Sequence, residues 1–288
     1  MSTDILSTVF LNTLVLSSMY IIASLGFAFI FNLMGTINLA HGAFCMAAAV
    51  ICYYLSLSMG INNWTALGIT IVVMIFAGLV LERVLFRPFA TDITKVIMVG
   101  VALMTLMQTA ATVAVGTVQN MTIDSFMPGT SRILNATISN ERLLTLVIGF
   151  VLLAAVLILV NKTTLGRQMQ AIAQNRKAAA LQGINIIRVS AIVCAMGLAL
   201  AAVAGILMGS YQQISPIMGD NMQLRILMLV MLAGAGSMNG LIITGFIIGF
   251  MDSLLPIYLD GAVASAIASF IVLIIMLIRP KGLFGYEQ

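Results

Sequence analysis

Long apolar runs alternate with short polar segments along the chain, near residues 9–31, 43–59, 64–81, 93–116, 142–161, 189–211, 221–235, 239–256 and 262–279. A helix needs ~20 apolar residues to cross a ~30 Å hydrocarbon core. The pattern therefore predicts an all-α polytopic membrane protein with about nine transmembrane helices, within a range of eight to ten. The run at 221–235 is short: at 1.5 Å per residue it rises roughly 22 Å, so it is expected to tilt little, thin the bilayer or sit partly inside the bundle. Small residues mark where helices meet. Gly197, Ala201, Gly205 and Gly209 recur at every fourth position, and Gly245 and Gly249 repeat the spacing; in lipid such stripes let backbones approach closely.

Two Gly-rich breaks interrupt this pattern, "NLMGTINLAHG" near 32–42 and "LAGAGSMNG" near 233–240. Non-helical backbone survives at membrane depth only where protein or a water-filled cavity surrounds it. Paired interruptions in the two halves of a chain point to a transporter's substrate path, although two ordinary short loops would give the same spacing. Two charges also fall within or near the runs, Arg225 and Asp252. An unpaired charge there costs at least ~2.5 kcal/mol on insertion scales, so the two are expected to form an intramembrane ion pair, either holding two helices or taking part in the path.

Composition agrees with a bilayer as solvent. Of 288 residues, 61% are hydrophobic and 8% charged, against ~25% charged in soluble domains. The net charge of +4 is explained by topology rather than by a nucleic-acid partner. With nine spans and the N-terminus outside, Arg83, Arg87, Lys95, Lys162, Arg167, Arg176, Lys177, Arg188, Arg279 and Lys281 fall on one side, the cytoplasmic side by the positive-inside rule. The C-terminus is then cytoplasmic. "MSTDIL" has no basic residue before the first run, so it is read as retained rather than as a cleaved signal. Cys45, Cys52 and Cys194 have no metal-ligand spacing and His41 is the single histidine; no metal site is expected. A nucleotide loop of the form G-x-x-x-x-G-K-[ST] is absent.

The segment 164–183 reads as one amphipathic helix, with Leu165, Met169, Ile172, Ala173 and Ala180 opposite Arg167, Gln170, Gln174 and Lys177. Thr164 is placed to cap its start and Gly183 to end it. Taken alone, such a helix fits a basic surface lying on anionic lipid.

Several of these segments resemble permeases of ATP-binding-cassette importers for branched-chain amino acids. "INLAHGAFCMAAA" is similar to their signature early segment, and "TTLGRQMQAIAQNRKAAALQGINIIRV" resembles their large cytoplasmic loop. "LAGAGSMNGLIITGFIIG" resembles their L-G-G-x-G-S-x-x-G-x-x-x-G-G-x-x-x-G, and "RPKGLFG" matches their ending. The matches run in order over nearly the whole chain. Departures are Gln170 for the loop's second Arg, Ala233 and Thr244 for two glycines, Asp252 for the commoner Glu and Arg225 for the frequent Lys.

The resemblance implies a single transmembrane permease domain over residues 1–288, with a cytoplasmic coupling loop at 162–188, in a bacterial inner membrane. It implies that Asn32, Gly35, Asn38, His41, Gly42, Gly234, Gly236 and Ser237 line the substrate path. Thr164, Gly166, Arg167, Ala171, Ala179, Leu181 and Gly183 would then belong to a helix that couples to an ATPase. The implied partners are a sister permease in a heterodimer, two cytoplasmic ATPase subunits that use ATP, and an external substrate-binding protein. The chain itself would bind no cofactor and catalyse no reaction. The implied cargo is a branched-chain or other small amino acid; urea, short amides and small aromatic or carboxylic acids are alternatives. An intramembrane enzyme using His41 and Asp252, or a self-sufficient carrier, are readings of a different class.

Overall fold

A computed structural model describes residues 3–35, 37–89, 92–115, 121–133, 136–234, 236–280 and 282–285. Gly116 at the edge of one predicted run, Ala235 in the second break and Lys281 in the C-terminal motif lie outside the described residues.

Each of the nine apolar runs coincides with a helix. In chain order the α-helices among the described residues are α1 (Thr3–Met34), α2 (His41–Tyr53), α3 (Asn63–Leu81), the single turn α4 (Arg87–Phe89), α5 (Ile93–Val115), α6 (Asn140–Lys162), the short α7 (Thr164–Gln174) and α8 (Arg176–Leu181), α9 (Ile186–Tyr211), α10 (Met218–Ala233), α11 (Met238–Leu254) and α12 (Gly261–Ile278); α4, α7 and α8 lie outside the nine runs. π-helical turns extend α2 through Ser58 and join α3 to α4. Among the described residues, eight helical stretches are long and apolar enough to cross a membrane. The ninth, α10, has 16 residues, roughly 24 Å of helix. The chain is a multi-pass, all-α membrane protein.

Helices α1 and α9 occupy the centre. Some 83% and 78% of their most apolar windows are buried, against 17% for α5 and for α12, whose apolar faces are therefore left for lipid or for another chain. The predicted small-residue stripes account for this core. Gly197 faces Gly26 of α1, Gly205 faces Cys45 of α2 and Gly209 faces Ala49 of α2, while Gly245 and Gly249 meet Ile21 and Ser17 of α1. Apolar side chains gain little from leaving lipid for each other, so close backbone packing supplies the attraction.

The basic segments gather at one end of the bundle, where Met34, Glu82, Arg87 and Arg176 border one cleft. At the opposite end the α5–α6 connection is built rather than loose. Its strands β1 (Thr130–Ile133) and β2 (Ala136–Ser139) pair antiparallel, Thr130 opposite Ser139. Glu141 Oε2 accepts hydrogen bonds from Ser125 Oγ and from the backbone N–H groups of Phe126 and Met127. The same loop donates from Ile123 N to Gly209 O and accepts at Met121 O from Ile214 N, so it closes over the end of α9.

Candidate functional site

The first break is an interior helix start. Gly35 ends α1 with φ +66°, and Asn32 is half-buried in the last turns of that helix. The chain then turns back into the bundle. His41 Nε2 lies 3.2 Å from Ala23 O, roughly 16 Å up α1 from Met34 at 1.5 Å per residue. Helix α2 therefore begins within the bundle rather than at its rim.

Its first N–H groups have no intrahelical acceptors, and side chains replace them. Asn38 Oδ1 accepts from Ala40 N at 3.1 Å, and Gln223 Oε1 of α10 accepts from Gly42 N at 2.7 Å. A Cβ on residue 42 would stand 2.6 Å from Gln223 N, so glycine lets α10 come this close. Sequence reasoning gave Asn38 and His41 to the wall of a path. Here both are buried, at 2% and 0% exposure, and the imidazole packs edge-on against Phe27 of α1.

The second break joins α10 to α11. Gly234 and Gly236 take φ +87° and +85°, a region that L side chains avoid. Ser237 then caps α11 by accepting from Gly240 N at 3.0 Å. The C-terminal motif closes the same corner: Leu283 N donates to Leu232 O at 2.8 Å and Phe284 N to Ala233 O at 3.2 Å. Two carbonyls left open at the end of α10 are thus satisfied by a segment fifty residues downstream. The two Gly-rich breaks do not meet in one place. The first lies against α1 and the start of α10, the second at the opposite end of α10.

Arg225 and Asp252 meet. Arg225 Nη2 stands 2.8 Å from Asp252 Oδ1. Around the pair, Tyr20 donates from its hydroxyl to Asp252 Oδ2 at 2.9 Å, and Arg225 Nη2 donates to Ser265 Oγ at 3.1 Å. Four helices, α1, α10, α11 and α12, are joined through this chain of contacts. It borders a cavity of about 360 Å³. Tyr20 and Ser265 were not among the sequence-derived candidates.

The 162–188 segment differs from the single predicted helix. It is two helices, broken at Asn175, whose backbone is extended at φ −154°. Asn175 Oδ1 caps α8 by accepting from Ala178 N at 3.0 Å. The start is also shifted by one residue: Thr163, not Thr164, caps α7, accepting from Gly166 N at 3.1 Å and donating to Leu159 O at 2.6 Å. A Cβ at 166 would come within 2.5 Å of Leu159 O, so the glycine permits the tight α6–α7 corner. Gly183, at φ +83°, ends α8 as expected. Gly183 N bonds to Ala180 O and Ile184 N to Ala179 O, the paired closure of a left-handed helix stop.

Of the predicted apolar face, Met169 and Ile172 are buried, Leu165 is half-buried, and Ala173 and Ala180 are exposed; Ala179 is buried in place of Ala180, and Ala171 is half-buried. Thr164 and Arg167 are exposed, as are Arg176 and Lys177, and Leu181 stands out at 89% exposure. The segment therefore presents cations and two large apolar side chains, Leu181 and Ile187, outward.

Comparison with known proteins matches residues 9–279 to the family described as "Branched-chain amino acid transport system / permease component". The chain is 28% identical over 294 residues to the high-affinity branched-chain amino acid transport system permease protein LivH of Salmonella typhimurium, covering 96% of this chain and 94% of that one. LivH of Escherichia coli matches to the same extent. The corresponding permease protein BraD of Pseudomonas aeruginosa is 25% identical over 291 residues, covering 96% and 95% of the two chains.

Proposed function

Because the chain belongs to the permease-component family of branched-chain amino acid transport systems, we propose that it is one membrane-spanning subunit of an ATP-driven importer. It works in a bacterial cytoplasmic membrane with a sister permease, two ATPase subunits and an external binding protein. Its cargo is a branched-chain or other small amino acid. The N-terminus lies outside, and the basic end faces the cytoplasm, in keeping with the positive-inside bias. This chain hydrolyses no ATP itself.

The family match over residues 9–279 carries the reading, and the 162–188 segment supports its coupling part. Two capped helices seated on the basic end, with Arg176, Lys177 and Leu181 outward, form a firm knob with charge and one apolar tip. A soluble ATPase surface can grip such a knob and move it.

Ala179→Pro tests the coupling. Ala179 N donates to Asn175 O at 3.0 Å, and Ala179 O accepts from Ile184 N. Proline removes the first bond and clashes with the preceding turn, at ~3 kcal/mol, in a helix of six residues. Insertion and expression stay normal, while substrate-stimulated ATP hydrolysis and uptake in proteoliposomes are lost. Near-normal coupled uptake in this variant refutes the role.

A further inference from the structure

The cavity of about 360 Å³ beside the ion pair is within the range of small-molecule sites, ~300–1,000 Å³. Its rim carries Tyr211, Gln212, Asn221 and Gly261, all at helix ends away from the basic end, so it opens toward that side. Its interior combines an apolar wall with two charges of opposite sign. Leu16, Met208 and Met222 supply the wall; methionine side chains adapt to irregular aliphatic shapes. The Arg225 and Asp252 side chains remain 13% and 11% exposed, and both border the cavity.

The pair has unused capacity. A guanidinium carries five N–H donors, and the oxygen contacts of Arg225 among the described residues both go through Nη2, to Asp252 and Ser265. Nη1 meets only the Met228 sulfur at 3.9 Å, a weak acceptor. Asp252 receives one contact on each oxygen, where a carboxylate has about four lone-pair sites. Each charge can therefore bind an opposite charge without first losing its present partner.

We infer that this cavity binds the head group of a zwitterionic α-amino acid, its carboxylate on the free donors of Arg225, its ammonium on Asp252, and its aliphatic side chain against Met208 and Met222. This rests on the importer reading above and adds to it the site within the permease. A charge of each sign side by side suits a zwitterion; a sugar or urea, being neutral, has no use for the pair.

The test uses Ser269→Cys. Ser269 borders the cavity, and its hydroxyl bonds only within its own helix, to Ser265 O. The native cysteines are buried, so the unaltered chain gives the labelling background. In right-side-out native membrane vesicles, a charged methanethiosulfonate reagent labels the new thiol from water, and the tagged chain is then recovered and quantified. L-Leucine at about ten times its Kd slows labelling roughly tenfold by occupancy. Leucinamide, lacking the carboxylate, and 4-methylpentanoate, lacking the ammonium, protect far less. Arg225→Gln erases the preference for leucine over leucinamide, and Asp252→Asn erases the preference over 4-methylpentanoate.

The site is refuted if the thiol is closed to the reagent, if leucine leaves the rate unchanged, or if the analogues protect equally. These outcomes come from Ser269→Cys with the pair intact, so poor folding of a charge variant does not decide the matter. ATP-dependent leucine uptake is measured in parallel. Uptake without protection removes this site and leaves the importer reading; protection without ATP-dependent uptake does the reverse.

Discussion

Replacing Gly205 with alanine should weaken the core far more than the same change at Gly68. A Cβ at 205 would lie 2.6 Å from the Cys45 carbonyl carbon and 2.8 Å from Cys45 Cα, and closer still to the carbonyl oxygen. All three atoms are backbone, so no rotamer change makes room; α2 and α9 must part by about 1 Å. A gap of that size forfeits a quarter to a half of the contact energy of facing atoms. Overpacking costs ~1–3 kcal/mol, and a backbone obstruction puts Gly205 at the top of that range. At Gly68 in α3 a Cβ meets nothing within 4 Å. The gain in helix propensity, ~1 kcal/mol, is common to both substitutions and cancels between them, which leaves a difference of ~3 kcal/mol due to packing.

The assay is a thermal ramp of purified protein with a thiol-reactive fluorophore. Cys45, Cys52 and Cys194 are all 0% exposed, so dye reacts as the bundle opens. At ~2–4 °C per kcal/mol for chains of about this size, the two variants should melt roughly 6–12 °C apart, Gly205→Ala lower. Uptake should fall in step, since α2 carries the buried start at His41. Melting points within 2 °C of one another, on the same scale, refute the claim that backbone approach at this glycine holds the core.

Other perturbations separate the local devices. Gly282→Ala puts a Cβ 2.5 Å from Gly234 N at φ +83°; it should free the C-terminal segment and speed tryptic cleavage after Lys281, the Arg279 bond being blocked by Pro280, whereas Gly60→Ala, with φ +64° and open space, should cost only the ~1–2 kcal/mol of a left-handed residue. Thr163→Ala should cost ~1 kcal/mol as a lost cap, read as faster hydrogen exchange over 164–174, and Thr164→Ala should leave that exchange unchanged. Arg225→Gln and Asp252→Asn should each destabilise, by less than the ~3–5 kcal/mol of a fully buried pair because the two side chains stay 13% and 11% exposed, with the double variant milder than the sum; additive losses in the melting midpoints would show that the two do not interact.

What was legible in the sequence is what local pattern controls. Spans are set by runs of hydropathy, and the glycine stripes announce their contacts because spacing alone puts small residues on one face. The 164–183 segment shows the limit. Three alanines at 178–180 favour a continued helix, yet Asn175 interrupts it by offering its side chain to Ala178 N. Asn three residues before a helix-forming run was the available signal. Thr163 and Thr164 are adjacent and chemically alike, so only the depth of the α6–α7 corner decides which one caps. Arg225 and Asp252 could be paired from sequence because intramembrane charges are scarce. Tyr20 could not, since it sits in α1, 232 residues from its acceptor, and an aromatic in an apolar run gives no sign that its hydroxyl is spoken for. His41 stood out as polar in a break, but its burial follows from α2 starting inside the bundle, which hydropathy does not encode.

The molecule divides by how its helices are joined. Among α1, α2, α9 and α11 backbone meets backbone at Gly26–Gly197, Gly205–Cys45 and Gly249–Ser17, and close-packed surfaces of that kind have no intermediate positions to adopt. Around the cavity, α10 and α12 are joined by side chains, through Arg225 and Ser265, and α12 has little buried surface of its own. Side-chain contacts of this sort can be exchanged for others at small cost, as happens where packed elements switch between discrete arrangements. Helix α10 reaches from Arg225 at the cavity to Leu232 and Ala233 under the C-terminal segment, and along it α2 is tied to Gln223. A displacement applied at the basic end of α10 would therefore arrive at the ion pair along a single stiff element, and Gly42 and Gly219, where α10 meets α2 backbone to backbone, would carry it to the start of α2. A permease needs one part that holds the bundle together and another that yields, and the glycines of α1, α9 and α11 and the half-buried charges mark which is which.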